Sequence, residues 1–74
     1  MYQKEIRLSQ ETVRQFVNAA CQCDFHVDLC YNKITVNAKS LMGVFSLDLS
    51  NKLTVIYNEK DEAFECALNE FAVA

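Results

Sequence analysis

Four cysteines, Cys21, Cys23, Cys30 and Cys66, and a single histidine, His26, are the residues best suited to nucleophilic or metal chemistry. Cys21-Gln22-Cys23, with His26 and Cys30 downstream, offers a nominal zinc ligand set. The spacing is poor, because structural zinc sites place roughly two to four residues between paired cysteines on a turn. Here Cys21 closes a helical pattern and Cys30 falls inside an alternating strand pattern. An even cysteine count suggests bridges in a secreted miniprotein. The opening stretch, Met1-Tyr2-Gln3-Lys4-Glu5-Ile6-Arg7, has no apolar signal core. The expectation is therefore reduced, buried thiols in a cytoplasmic protein, with no metal and no cofactor. His26 alternates with Phe25 and Val27, which turns it to the solvent side of a strand. No serine or cysteine stands at a catalytic spacing from it.

Absences narrow the chemistry further. There is no proline and one glycine, Gly43. A Walker loop or a dinucleotide-binding turn cannot be built from such a chain. Seven Lys/Arg against ten Asp/Glu give a net charge of -3, which disfavours nucleic acid, since phosphate binding needs clustered cations. At 74 residues the chain is expected to be one domain, residues 1–74, with little room for a catalytic cleft. A domain this small buries only ~60% of the surface its unfolded chain exposes, so nearly every apolar residue is needed for the core. No apolar run approaches the ~20 residues of a membrane span.

These residues must be positioned by elements whose periods are clear. Tyr2, Ile6 and Leu8 share one parity and Gln3, Glu5 and Arg7 the other, a strand with one wet face. Ser9 supplies a helix N-cap with Glu11 in the first turn, and Val13, Phe16, Val17 and Ala20 follow at helical spacing. Phe25, Val27, Leu29 and Tyr31 alternate in a second strand. Asn32-Lys33 turns the chain into a third strand carrying Ile34, Val36 and Ala38. Ser40 caps a short helix that Gly43 keeps to one or two turns. Leu53, Val55 and Tyr57 mark a fourth strand. Phe64, Ala67, Leu68 and Phe71 form the inner stripe of a closing helix whose outer face is acidic, with Glu62, Glu65 and Glu70. The order βαββαβα predicts an α+β, two-layer open-faced sandwich, with a mainly antiparallel four-stranded sheet covered on one side by three helices.

Residues 35–47, Thr-Val-Asn-Ala-Lys-Ser-Leu-Met-Gly-Val-Phe-Ser-Leu, resemble the regulatory-serine region of HPr, the histidine-containing phosphocarrier family of the sugar phosphotransferase system. The likeness is closer still to the Crh-like branch, a catabolite-repression relative that lacks the phosphotransfer histidine. It covers almost the whole chain and implies the HPr-like fold. The family carries a Gly-Ile/Leu-His-Ala-Arg-Pro-Ala loop between its first strand and first helix, whose histidine accepts phosphate at a helix N-terminus. Here Leu8-Ser9-Gln10-Glu11 is expected to pass directly from strand to helix, with histidine, arginine and proline gone. Arg14 lies inside the helix, His26 lies elsewhere, and Glu11 would repel an incoming phosphate.

The resemblance therefore implies a non-catalytic regulatory or adaptor protein. Ser40 matches the serine phosphorylated by the family's ATP-dependent kinase, in a form that then binds a transcriptional repressor. Residues matching Leu41, Met42 and Phe45 form the family's docking patch, and Lys39 adds a cation beside the serine. The implied partners are proteins: HPr kinase, a transcriptional repressor or phosphotransferase-system components. The short helix is too apolar for all of Leu41, Met42, Val44, Phe45, Leu47 and Leu49 to face inward, so part of it should be exposed. That patch could also support a homodimer. Two other readings remain open from the residues: a residual phosphocarrier using His26, and a thiol or metal protein using Cys21, Cys23 and Cys30.

Overall fold

A computed structural model describes residues 1–72; the last two residues of the expected 1–74 domain lie outside the described residues. The elements are β1 (Tyr2–Ile6), α1 (Val13–Cys21), β2 (Val27–Tyr31), β3 (Ile34–Asn37), α2 (Leu41–Phe45), β4 (Leu53–Tyr57) and α3 (Glu62–Phe71). The sheet order is β1-β4-β2-β3, and every pairing is antiparallel. The α+β sandwich expected from the sequence is the architecture found.

The sheet's two faces follow from strand parity. Ile6, Val27, Leu29, Leu53, Val55 and Tyr57 are buried beneath the helices. Their alternates, including Asp28, Thr54 and Cys30, point to the side with no helix. Val13, Phe16, Val17 and Ala20 line the buried stripe of α1, and Phe64, Leu68 and Phe71 that of α3. Phe16 and Phe71 meet edge to face with ring centroids 6.3 Å apart, joining the two helices over the sheet. Aspartate caps α3: Asp61 Oδ1 accepts from the amides of Ala63 at 2.8 Å and Phe64 at 3.2 Å. Asn32 opens the β2–β3 turn at φ 58°, a left-handed conformation that asparagine tolerates.

Two boundaries and one exposure differ from the sequence pattern. Phe25 and His26 precede β2 rather than pairing within it, yet Phe25 stays buried and packs near Tyr57 and Phe64. Ile34 shares the helix-side parity but is 52% exposed, because β3 is an edge strand. Ala38 leaves β3 and still donates its amide to Val27 O at 3.0 Å. At the opposite edge, Arg7 N donates to Phe71 O at 2.9 Å and Ile6 bridges to Ala72, so the chain leaving α3 runs beside β1. Among the described residues no helix is long and apolar enough to cross a membrane.

Candidate functional site

The segment around Ser40 is set by the end of β3. Asn37 turns the chain there: its carbonyl accepts from Ser40 N at 3.0 Å and its side-chain oxygen from Lys39 N at 2.9 Å. Ser40 is extended (φ -102°, ψ 111°), and its Oγ accepts from Gly43 N at 3.2 Å, the cap that the sequence suggested. Glycine at 43 also has a packing reason. A Cβ there would lie 3.3 Å from Ser40 Oγ and 3.5 Å from Val36 Cβ, so its absence lets α2 settle against β3. The Ser40 residue itself is exposed. Asp48 holds the exit from α2 through the amide and hydroxyl of Ser50, which keep its carboxyl below the usual aspartate range.

The apolar residues of this segment separate into three depths. Val44 and Leu47 are buried, and Leu41 and Leu49 are half-buried against the core. Met42 is 85% exposed and Phe45 42% exposed. Leu41 also lines a shallow groove with Arg14, Val17 and Asn18 of α1. Lys39 is the member of the set whose charge is already engaged. Its ammonium donates to Cys23 O at 2.9 Å, just beyond the end of α1.

The β1–α1 corner is longer than the direct passage expected from the sequence. Residues 7–12 separate the two elements, and residues 9–12 form a turn of their own. Ser9 N donates to Thr12 Oγ1 at 2.8 Å, while Thr12 N donates to Ser9 Oγ at 3.3 Å. This is a reciprocal capping arrangement in which threonine takes the place of the usual Glu/Gln. The N-cap of α1 is Thr12, without a side-chain cap bond, so Ser9 closes a separate turn ahead of the helix instead of capping it, and Glu11 sits in that turn rather than in the first turn of α1. Arg14 lies within α1, exposed.

His26 sits at the other end of the sheet. β1 leaves the sheet where Ile6 pairs with Leu53, whereas Val27, next to His26, pairs with Tyr57 at the end where β1 begins. His26 is largely exposed, and its Nε2 lies 2.8 Å from Asp28 Oδ1. The cysteines are dispersed. Cys21 is exposed at the end of α1, Cys23 is buried just beyond it, Cys30 lies beside Thr35 on the uncovered side, and Cys66 is exposed on α3. All four are free thiols. Burial, with the carboxylate of Asp61, pushes the Cys23 thiol up. Among the described residues no three His, Cys, Asp or Glu side chains converge as metal ligands, and Cys21, Cys23, His26 and Cys30 do not form the nominal set.

One polar network lies outside the sequence expectations. Glu65 of α3 accepts from the Tyr57 hydroxyl on β4 and from Lys4 Nζ on β1 at 3.2 Å, and Lys4 also donates to Asn69 Oδ1 at 3.0 Å. Donation from Tyr57, then from Lys4, holds the Glu65 carboxyl below the usual glutamate range. Burial, with Glu65 beside it, pushes the Tyr57 phenol up. A signal was present: Lys4 shares the inward parity of Tyr2 and Ile6, and a lysine facing inward needs a partner.

Comparison with known proteins agrees with this architecture. A family model described as the phosphotransferase-system HPr component phosphorylation site matches residues 5–72. No curated protein matches the chain. Among solved structures, HPr-C-His from Thermoanaerobacter tengcongensis is 25% identical with a TM-score of 0.79, over 95% of this chain and 89% of that one. The phosphocarrier protein HPr of Bacillus anthracis is 26% identical with a TM-score of 0.74, over 95% of both chains. The Bacillus subtilis catabolite-repression protein Crh, described as an intertwined, domain-swapped dimer, is 27% identical with a TM-score of 0.64, over 95% of this chain and 88% of that one. A match to nearly all of the chain, on the same βαββαβα frame, shows that it belongs to the HPr family of phosphotransferase-system phosphocarrier proteins.

Proposed function

We propose that this chain is a cytoplasmic, non-catalytic member of the HPr family, a regulatory or adaptor protein that docks protein partners around Ser40 and is switched by phosphorylation of that serine. The observation that carries the reading is the exposure of Met42 and Phe45 on the short helix that Ser40 caps. Apolar side chains held at the surface of so small a domain favour a partner's surface over water. A phosphate on Ser40 would add about -1.5 to -2 charges beside them, enough to select between partners. Leu41 contributes through its exposed part, and Lys39 through its stem. The same patch offers a homodimer contact. Absence of phosphoryl transfer is inferred from the β1–α1 corner, where Ser9, Gln10 and Glu11 offer no imidazole and Glu11 opposes an anion.

Incubation with an HPr kinase and ATP tests this reading. One phosphate is expected on Ser40 and none on Ser40→Ala. A repressor or phosphotransferase-system component retained by the phosphorylated chain should be lost from Met42→Asp and Phe45→Asp. These two positions are chosen over Leu41, whose half-buried side chain also supports the core. No phosphate on Ser40, together with unchanged binding by both variants, would sink the proposal.

A second reading is favoured by one observation. His26 is an exposed imidazole whose Nε2 lies 2.8 Å from Asp28 Oδ1, and a carboxylate on one ring nitrogen leaves the other to act as the phosphoryl acceptor. Phosphoenolpyruvate and the sugar system's first enzyme would then label the chain, and His26→Ala would abolish the label.

A further inference from the structure

The last turn of α1 ends without a basic residue of its own. Its closing amides tighten toward the preceding turn: Gln22 N donates to Asn18 O and Ala19 O, and Cys23 N donates to Ala20 O at 3.1 Å. The carbonyl of Cys23 is left pointing onward and is taken by Lys39 Nζ at 2.9 Å. A second contact runs in the opposite sense, from Cys21 Sγ to Lys39 O at 3.6 Å. Residues 21–23 and 39 are thus joined by both the side chain and the main chain of Lys39. Of the charges acting on the Cys23 thiol, Lys39 is the one cation, and Asp61 and Asp24 are the carboxylates. Withdrawing the ammonium would leave the negative end of a helix dipole facing carboxylates alone.

We propose that Lys39 is a positioning residue that caps α1 from outside the helix, and that charge added at the adjacent Ser40 is read at the end of α1 through this lysine. The second half of the proposal rests on the reading of Ser40 as a modified residue. A phosphate bears about -1.5 to -2 charges, whereas a helix C-terminus presents about half of one, so the flexible lysine stem follows the phosphate. The closing turn of α1 then loses its cation and opens more often. The reading also changes the part assigned to Lys39: its charge serves the fold in the unmodified state and becomes available only when Ser40 carries phosphate.

The test is amide hydrogen exchange at residues 21–23, with α3 amides as the internal reference. The full-length chain is assembled by chemical ligation at Cys21 or Cys30, with serine or phosphoserine at 40, so no kinase is required. Exchange at residues 21–23 should rise about two- to fivefold in Lys39→Met and in the phosphoserine chain. Lys39→Arg, which keeps the cation, should match the parent. Phosphoserine should add nothing further in Lys39→Met, a non-additivity that a purely structural lysine would not produce. If Lys39→Met raises exchange in α3 as well, Lys39→Gln repeats the comparison under the same criterion. Unchanged protection in the phosphoserine chain, or a full phosphoserine response in Lys39→Met or Lys39→Gln, would overturn the inference. A kinase that leaves Ser40 untouched would instead remove the functional reading and leave these exchange results standing.

Discussion

At the scale of single residues, Gly43 brings two opposed effects to one position. Replacing it with alanine gains about 1 kcal/mol of helix propensity. The new Cβ would stand 3.3 Å from Ser40 Oγ, so the hydroxyl must give way by a few tenths of an ångström, which weakens a cap worth about 1 kcal/mol. Gly43→Ala should therefore leave the urea midpoint nearly unchanged while slowing phosphorylation of Ser40 severalfold, because the hydroxyl is held less firmly at the head of α2. A variant with unaltered phosphorylation would show that the cap does not present the serine. Caps were partly legible in the sequence. Ser40 and Asp61 precede apolar helical stripes, and both cap as their positions suggest. Ser9 carries the same signal and does not cap α1: it bonds reciprocally with Thr12 in a turn of its own, and Thr12 stands at the head of the helix. The bond from Lys39 to Cys23 had no sequence signal, since the two meet only through the packing of α2 on α1.

Among the described residues, α3 is the helix held to the sheet by an ion pair as well as by apolar packing. Phe64, Leu68 and Phe71 bury its stripe, and Glu65 reaches across to two strands. Its carboxyl pKa is depressed in the folded chain, so the stabilisation it confers is complete above the ordinary glutamate value of about 4.3 and is lost as pH falls through the lower folded value. Glu65→Gln should cost about 1 kcal/mol at neutral pH, a modest figure because water still reaches the carboxylate. The gap between variant and parent should close as the pH is lowered toward 3. Urea titrations at several pH values measure it, and a gap independent of pH would assign the loss to shape rather than charge. The elements themselves were readable because each carries a full period of apolar residues. Their ends were not, since β2 stops pairing at Val27 although burial continues to Phe25. The helical pattern places Glu65 on an acidic outer face, whereas its partner Lys4 lies 61 residues away, beyond the reach of any local pattern.

At the scale of the whole molecule, one core serves both layers. Phe16 is fully buried and meets Phe71 from the opposite helix. A chain of 74 residues has roughly 4–11 kcal/mol of total stability at about 0.05–0.15 kcal/mol per residue. Phe16→Ala removes about 3–5 kcal/mol of that. The variant should unfold at no more than about three quarters of the parent's urea midpoint, and a smaller shift would mean that α1 and α3 collapse to fill the space. The strand order has its own consequence for synthesis. β4 is inserted between β1 and β2, so β1 has no sheet partner until residues 53–57 exist. A nascent chain emerging from the ribosome can form the β2–β3 hairpin early, but it carries an orphan first strand until β4 emerges. A pause in elongation before codon 53 would thus prolong the interval in which that strand is open to chaperones, proteases or a neighbouring polypeptide.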